Sequence, residues 1–382
     1  MEDSRMNAHP TIQLDIVIPS FRADVRVLES ICNLDCPNGL ERRIIIVLDD
    51  PTHPIPEELE AWKRLPDITI IRNSENLGAN GSRNRGIEET SAEWILLLDD
   101  DIVPEPNLLH FYAKAIWERG DNVPGFVGIT RFPDPVNSFT EGVVASDILT
   151  FFDLAEYKEE MSWGITANLL VKREAMAEHR FRQCFPKEGG GEDIDLCLEI
   201  IRTTGTKFAT EPNAVVHHPW WNGGRRSYRR FSRWAYGDSQ LPELHPQHRW
   251  RNFPNTAELL MSLLLVILPL ISLTDTPPWK PVLAACGLIV GDWVTEWIRL
   301  CTAKSIRNPI IAIESSLVRF SNDLGRVRAV LESFKPWRIT ERFDYSTTGE
   351  WIGGERWWNL LRVVIQFSLV TSILLMWGGG PW

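Results

Sequence analysis

Three consecutive carboxylates at the end of an apolar segment are the residues of this sequence best suited to chemistry. The segment Ala92–Pro104 reads AEWILLLDDDIVP, and its apolar run is followed directly by Asp99, Asp100 and Asp101. A buried strand that ends in charged residues places them at a sheet edge, where open α/β sheets bind ligands. Carboxylate oxygens suit Mg²⁺ or Mn²⁺ held jointly by the protein and a diphosphate. A strand followed by a solvated acidic turn would give the same pattern.

A second acidic pair follows an earlier segment of strand type. Arg43–Leu48 reads RIIIVL and is followed by Asp49 and Asp50. The carboxyl ends of parallel strands meet at one edge of a sheet, so both acidic groups are expected to line one crevice. One group would accept hydrogen bonds from a nucleobase or ribose, and the other would carry a metal ion.

Strand and helix signals alternate along the first part of the chain. The strand segments are Leu14–Pro19, Arg43–Leu48, Ile68–Arg72 and the run before Asp99, and helical spacing lies between them. The alternation predicts a doubly wound, mostly parallel α/β sheet. The chain lacks the glycine fingerprints of dinucleotide-binding folds and of P-loop NTPases, which weakens both of those interpretations.

The composition of the chain changes towards its carboxyl end. Many of the 17 tryptophans lie in the second half, and indole rings favour the membrane interface. Three apolar segments, 256–274, 281–300 and 361–377, are predicted to be transmembrane helices. The charged residues Asp292, Glu296 and Arg299 of the second segment would have to face a partner helix or the active-site side. Core helices of a second soluble domain remain the alternative.

The charge distribution predicts an orientation in the membrane. The net charge of −11 argues against a general nucleic-acid binder. The segment Lys304–Arg342 is rich in lysine and arginine, which by the positive-inside rule places it in the cytosol, with interfacial helices over 305–340. Residues 1–13 are a polar leader without the apolar core of a signal peptide. We therefore expect an integral membrane protein whose amino-terminal part faces the cytosol.

Several motifs occur in an order that resembles the family 2 glycosyltransferases. They read IVIPSFR, VLDD, NLGANGSRNRG, WILLLDDDIVP, WGITANLLVKR and GGEDIDLCL along residues 14–240. The resemblance implies a GT-A fold over that range, followed by a membrane region over 241–382. It also implies an inverting enzyme that takes a sugar from a nucleotide-sugar donor.

The resemblance assigns roles on the donor side. Asp99 and Asp101 match the D-x-D motif of the family, with Asp101 as the main ligand of Mn²⁺ or Mg²⁺ and Asp99 directed to the ribose or the metal. Asp49 and Asp50 resemble the acids that read the nucleobase. Arg83, in a G-x-R-N-x-G match, is similar to an arginine that contacts base or phosphate, although a surface arginine near a helix start would look the same. Three further residues, at or just after the end of the first strand, are expected to line the same crevice: Pro19, Ser20 and Arg22.

The acceptor side rests on the pair Glu192 and Asp193, which matches the E-D motif of the family. Asp193 would be the base that takes a proton from the acceptor hydroxyl, and Glu192 would orient the acceptor or the loop. An acidic pair that stabilises a helix dipole would occupy the same place. His217 follows an apolar strand and is similar to a third metal ligand in related enzymes, although a histidine at a strand end can be purely structural.

Arg230, Arg233 and Trp234 fit the (Q/R)-x-x-R-W pattern of membrane-bound relatives. The arginines would bind the diphosphate, and the tryptophan would stack on a sugar or hold the acceptor. A basic amphipathic helix lying on anionic lipid is the alternative. Arg230 stands where polysaccharide synthases usually have glutamine, which weakens the case for processive synthesis.

Two function classes follow from these patterns. The first is a glycosyltransferase that uses a nucleotide sugar, with UDP expected and GDP open, and a lipid-linked or glycan acceptor at the membrane. Within this class a small processive polysaccharide synthase is the alternative to single transfer. The second class is a membrane-anchored nucleotide-sugar-binding protein built on an inactive transferase fold.

Overall fold

The computed structural model describes residues 10–271, 273–274 and 276–378, with side chains up to Met376. Most of the predicted leader and the carboxyl-terminal exit of the last predicted span lie outside the described residues. The chain divides into two compact units. The described residues of Met1–Asp134 and Thr150–Trp220 form the sheet unit, and those of Pro135–Leu149 and Trp221–Trp382 form the helical unit. The domain boundary predicted at residue 240 stays a prediction.

Eleven strands occur among the described residues. They are β1 (Ile12–Ser20), β2 (Leu40–Leu48), β3 (Ile68–Arg72), β4 (Trp94–Leu98), β5 (Val103–Pro104), β6 (Gly125–Arg131), β7 (Glu160–Met161), β8 (Asn168–Lys172), β9 (Phe208–His217), β10 (Arg249–Arg251) and β11 (Glu341–Phe343). The last two form a separate antiparallel pair in the helical unit.

Helices connect and cover these strands. They are α1 (Val25–Cys32), α2 (Glu57–Trp62), α3 (Gly78–Glu88), α4 (Leu108–Arg119), α5 (Ser138–Ala145), α6 (Thr150–Asp153), α7 (Arg173–Met176), α8 (Glu192–Thr204), α9 (Arg229–Asp238), α10 (Leu241–Leu244), α11 (Thr256–Ser262), α12 (Leu268–Ile271), α13 (Trp279–Ala303), α14 (Pro309–Glu332) and α15 (Ile352–Gly378). A π-helical turn, Leu263–Ile267, joins α11 to α12.

The main sheet is mixed. Its strand order is β3-β2-β1-β4-β8-β6-β9-β5, with β7 pairing with β9. The first four strands of this order are parallel neighbours, β8 runs antiparallel to both β4 and β6, and β9 runs parallel to β6. The predicted parallel direction thus holds for β1, β2, β3, β4, β6 and β9. Strands β5, β7 and β8 run the opposite way. The direction of β8 could not be predicted, because a short buried apolar run has the same pattern in either direction.

This topology brings many strand ends to one edge of the sheet. Strands β1, β2, β4, β6 and β9 all point the same way and finish there, at Ser20, Leu48, Leu98, Arg131 and His217. Near this edge β1, β2 and β4 consist mainly of buried apolar residues, so the polar residues that follow them are the first groups that can meet a ligand. We call this edge the carboxyl edge.

A buried ion pair holds the opposite part of the sheet together. Asp15 in β1 makes a two-pronged pair with Arg43 in β2, with both N···O distances at 3.0 Å, and accepts N–H bonds from Ser91 and Ala92. Burial alone would raise the pKa of Asp15, but the hydrogen bonds from Arg43 and the backbone outweigh it and lower the pKa. The ionised form is therefore the one that stabilises the fold.

We expect Asp15→Asn to lower the free energy of unfolding by about 1–3 kcal/mol, because Arg43 and the backbone donors lose a charged acceptor. The folded-state pKa lies below the unfolded value of about 3.9, so the difference from the wild type is complete above that pH. It should shrink as the pH falls through the lowered folded-state pKa. Thermal unfolding of both proteins between neutral and acidic pH measures this, and a constant difference at all pH values would contradict it.

The helical unit contains two helices long and apolar enough to cross a membrane, Trp279–Ala303 and Ile352–Met376, by length and composition alone. These match the predicted second and third spans and are weak evidence for a membrane region. Most of the first predicted span, 256–274, instead forms a shorter apolar helix, Thr256–Ile271; residue 272 lies outside the described residues. Pro269 lies inside this helix and has no backbone N–H to donate.

The charged residues of α13 face other helices of the same unit. Asp292 pairs with Arg362 of α15 at 3.1 Å, and Glu296 pairs with Arg299 and accepts from Ser315 of α14. Charged residues inside an apolar helix need such partners, which is what the sequence predicted for them.

Candidate active site

The three aspartates after β4 divide into one buried and two partly open side chains. Asp100 is the buried one: it accepts from the Ser20 hydroxyl at 2.8 Å and pairs with Arg22 at 2.7 Å. Burial raises the pKa of Asp100 although Arg22 and Ser20 act against it. Asp99 and Asp101 remain 27% and 23% exposed, so the outer pair faces the carboxyl edge. Ser20 and Arg22 therefore fix the middle residue that orients the outer two.

Asp101 lies between two nitrogen-bearing side chains. One carboxylate oxygen is 3.1 Å from Nη1 of Arg22, and the other is 3.3 Å from Nε2 of His218. Carboxylate oxygens together with one imidazole nitrogen form a donor set that suits Mn²⁺ and, with less preference for nitrogen, Mg²⁺. The residues present thus fit the divalent ion that the sequence predicted.

The structure places His218, not His217, beside Asp101. His217 is half exposed, and its Nε2 lies 2.6 Å from Glu105. His218 is buried, and its Nδ1 donates to the carbonyl of Pro219 at 2.6 Å. A carbonyl only accepts, so the neutral His218 ring carries its lone pair on Nε2, which faces a carboxylate that also only accepts. Nε2 is therefore the ring nitrogen that faces Asp101.

The predicted choice of His217 differs by one residue because successive side chains of a strand point to opposite faces. The sequence shows two adjacent histidines at the end of β9 and leaves open which of them points to Asp101. The register with β5, in which Val103 pairs with His217, decides it.

Arg83 is a buried bridge within the site. Its Nη2 lies 2.7 Å from Asp99 and its Nη1 lies 3.6 Å from Glu192, while the guanidinium sits 5.4 Å from the ring centre of Phe181. Burial alone would lower the pKa of Arg83, but Asp99 and Glu192 raise it. Among the described atoms its Nε and Nη1 have no hydrogen-bond acceptor. Arg83 therefore connects Asp99 to Glu192 at the start of α8. Its Nε and Nη1 atoms could donate hydrogen bonds to a ligand.

The two acidic residues at the start of α8, Glu192 and Asp193, also differ in burial. Glu192 is buried, points to Arg83 and accepts the N–H of Gly190. Asp193 is partly exposed, and its carboxylate accepts the N–H of Ile194 at 2.9 Å. The preceding glycines have φ angles of 91°, 134° and 88°, which only glycine adopts without strain. Glu192 thus fixes the loop, while Asp193 is the carboxylate that an acceptor could reach.

Asp49 and Asp50 are engaged in local hydrogen bonds. Asp49 is buried and accepts from Leu77, Gly78 and Asn73, each at 2.8 Å, which orders the loop before α3. Hydrogen bonds from Thr52, with a smaller share from His53, hold the pKa of Asp50 well below its usual range. Pro19 is buried at the end of β1. The proposed contacts of these residues with a nucleobase stay predictions.

Arg230, Arg233 and Trp234 belong to the helical unit, on α9. The Arg230 guanidinium lies 4.6 Å from the ring centre of Trp221 and 6.0 Å from that of Trp234, and the two indoles meet edge to face. This aromatic cage orders the start of α9. Contact of these residues with a diphosphate stays a prediction.

Comparison with known proteins shows which protein family part of this chain resembles. Residues 15–179 match the family model Glycosyl transferase family 2. An uncharacterized glycosyltransferase of Haemophilus influenzae is 28% identical over 162 residues, which are 39% of this chain and 53% of that protein. A glucosyl-dolichyl phosphate glucuronosyltransferase of Haloferax volcanii is 24% identical over 187 residues, 46% of this chain and 58% of that protein. The chain thus spans little more than half the length of these relatives.

Among solved structures, the mannosyltransferase PcManGT from Pyrobaculum calidifontis in complex with GDP-Man and Mn²⁺ aligns with 96% of this chain and 88% of its own. The identity is 15% and the TM-score is 0.43. The family match and the relatives show that part of this chain is similar to family 2 glycosyltransferases.

Proposed function

We propose that this chain is an inverting, divalent-metal-dependent glycosyltransferase that moves a sugar from a nucleotide-sugar donor to a lipid-linked or membrane-associated acceptor. The observation that carries the proposal is the contact between Asp101 and His218 at the carboxyl edge, with Asp99 held by Arg83; both aspartates lie inside the family match. The name of the Haloferax relative, which includes a dolichyl phosphate, supports a lipid-linked acceptor. UDP is the expected nucleotide.

On the donor side, Asp101 and His218 would hold Mn²⁺ or Mg²⁺, with Asp99 towards the ribose or the ion. The ion supplies positive charge that neutralises the leaving diphosphate. Arg83 would direct its remaining N–H groups at the donor while its pair with Asp99 keeps that carboxylate in place. Ser20 and Arg22 keep the aspartate turn in shape through Asp100.

On the acceptor side, Asp193 would take the proton from the acceptor hydroxyl. The acceptor oxygen then forms a bond to the anomeric carbon as the bond from that carbon to the diphosphate breaks, which inverts the configuration. Glu192 positions this base by holding the glycine loop and Arg83. The catalytic part would face the cytosol, where nucleotide sugars are available.

Release of nucleotide from a panel of nucleotide sugars tests the proposal. The purified full chain is assayed with Mn²⁺, with Mg²⁺ and with chelator. Release of UDP or GDP from one donor, lost with chelator and restored by the metal, is the expected result. If no donor is turned over and calorimetry detects no binding of UDP or GDP with Mn²⁺, the proposal is wrong. Product length with a lipid acceptor then separates single transfer from a processive synthase, which would give a ladder.

His218→Ala is expected to raise the Mn²⁺ concentration needed for half-maximal activity by about 10–100-fold, because loss of a ligand or of its orienting partner has effects of that size. His217→Ala is the matched control and should leave that concentration within about twofold, since its partner is the exposed Glu105. Direct titration of Mn²⁺ binding checks both. A larger effect at His217 than at His218 would reverse the assignment.

A further inference from the structure

Helix α14 buries a cluster of polar residues and exposes a row of large apolar ones. Glu314, Ser315, Ser316 and Ser321 are buried, and their side chains bind other parts of the helical unit: Glu314 binds Arg226 and Tyr228, Ser315 binds Glu296, Ser316 binds Asp292, and Ser321 binds the carbonyl of Tyr228. The exposed residues of the same helix include Ile310, Ile313, Leu317, Leu324 and Leu331, with the ion pair of Arg328 and Glu332 near its carboxyl end. A helix at a water-exposed surface has the opposite arrangement.

The apolar stripe continues past the end of the helix. Phe334 is 85% exposed and has a φ of 54°, and Trp337 is 63% exposed. A bulky residue with positive φ is strained, and its exposure to water adds a second cost. An apolar medium around Phe334 would remove the cost of exposing its ring to water. The stripe and its two aromatic residues together are called the apolar ridge.

A basic cavity adjoins the apolar ridge at Trp337. Its volume is about 460 Å³, and it is lined by Glu243, Arg249, Arg251, Lys335, Trp337, Arg338 and Glu341. Four cations thus share two carboxylates, which leaves an excess of two positive charges. Lys335 and Arg338 both bind Glu243, while Arg249 and Arg251 both approach Glu341.

An anion of phosphate type matches this cavity. The guanidinium groups of Arg249 and Arg251 are about half exposed, so each can turn N–H donors towards a phosphate oxygen without leaving its carboxylate. Next to them, the guanidinium of Arg356 stacks on Trp250 at 5.6 Å. Tryptophan beside arginine and lysine is the composition found at the level of lipid headgroups.

We propose that the helical unit binds an anionic phospholipid of a bilayer, with the phosphate headgroup in the basic cavity and the acyl chains along the apolar ridge. Charge complementarity and the continuity of the cavity with the ridge at Trp337 support this occupant. The proposal is separate from sugar transfer and holds for an inactive chain as well. It places the turn between α14 and β11 at the depth of the headgroups.

Native mass spectrometry of the full chain in detergent tests the proposal. Dioctanoyl phosphatidylglycerol is titrated against dioctanoyl phosphatidylcholine, and inorganic phosphate is added as a competitor. We expect phosphatidylglycerol to bind about tenfold more tightly, because both lipids carry a phosphate but only phosphatidylcholine adds a quaternary ammonium, which the excess positive charge of the cavity repels. Equal affinity for both lipids would overturn the proposal. Displacement of phosphatidylglycerol by an equal concentration of phosphate would show a site for soluble phosphate instead.

Variants separate the cavity from the ridge. The double change Arg249→Gln and Arg251→Gln should remove the preference for phosphatidylglycerol, and the corresponding lysine variant should keep most of it. Phe334→Ser with Trp337→Ser should weaken binding of both lipids. Arg328→Gln is the matched control, since Arg328 is an exposed arginine of α14 outside the cavity, paired with Glu332 at 2.8 Å. A glutamine double variant that folds and keeps the preference would overturn the proposal.

Discussion

Asp101→Ala is expected to lower metal-dependent turnover on the order of 10³-fold or more, because the carboxylate that would hold the ion is lost together with its charge. The fold should survive the change. Asp101 is partly exposed, and the turn is held by its buried neighbour Asp100 through Ser20 and Arg22. Steady-state release of nucleotide over a range of Mn²⁺ concentrations measures the effect.

Asp35→Ala provides the matched control for Asp101→Ala. Asp35 also pairs with a histidine, His110, at 2.9 Å, but it is an exposed residue that precedes β2 and so lies at the opposite edge of the sheet. Its replacement should leave turnover unchanged. If Asp101→Ala retained most of the activity at saturating Mn²⁺, Asp101 would not be a metal ligand, and Asp99 would have to carry the ion.

Asp193→Asn is expected to lower transfer by about 10²–10⁴-fold while leaving the affinity for the donor unchanged. Asparagine has nearly the same shape but cannot take a proton from the acceptor hydroxyl. The ion-pair bridge from Arg83 runs to Glu192, so the change at Asp193 leaves that bridge in place. Transfer kinetics and calorimetry of UDP binding with Mn²⁺ together separate the two properties.

Glu192→Gln is the informative neighbour of Asp193→Asn. Glu192 is buried between Arg83 and the N–H of Gly190, so its neutralisation should weaken both donor binding and transfer. A loss of donor affinity in Asp193→Asn as large as in Glu192→Gln would assign Asp193 to the nucleotide site and remove it as the base.

The position of the acid cluster could be predicted from the sequence. Continuous β-branched and apolar runs that end in aspartates specify buried strands with charged ends, and parallel strands bring those ends to one edge. The directions of β1, β2 and β4 agree with this expectation. The reversed direction of β8 did not appear in the sequence, because the pattern of a short buried strand contains no direction.

The role of each charged residue depended on packing. Adjacent acidic residues look equivalent in the sequence, yet they differ in burial in the structure. Asp100, Glu192 and Asp49 use their oxygens to hold the turn, the glycine loop and the loop before α3. Asp101 and Asp193, which neighbour the first two, are more exposed, and in the histidine pair it is the buried His218 that lies beside Asp101. Register and the donors that surround each side chain decide these differences.

Residue types and their order along alternating strands and helices are local properties, and they indicate which chemistry this chain can attempt. Packing between distant segments places His218 rather than His217 beside Asp101, joins Asp99 to Glu192 through Arg83, and leaves large apolar residues of α14 exposed. These are contacts between residues far apart in the chain. Their geometry depends on strand register and on which helix face finds a polar partner, and no local pattern encodes either.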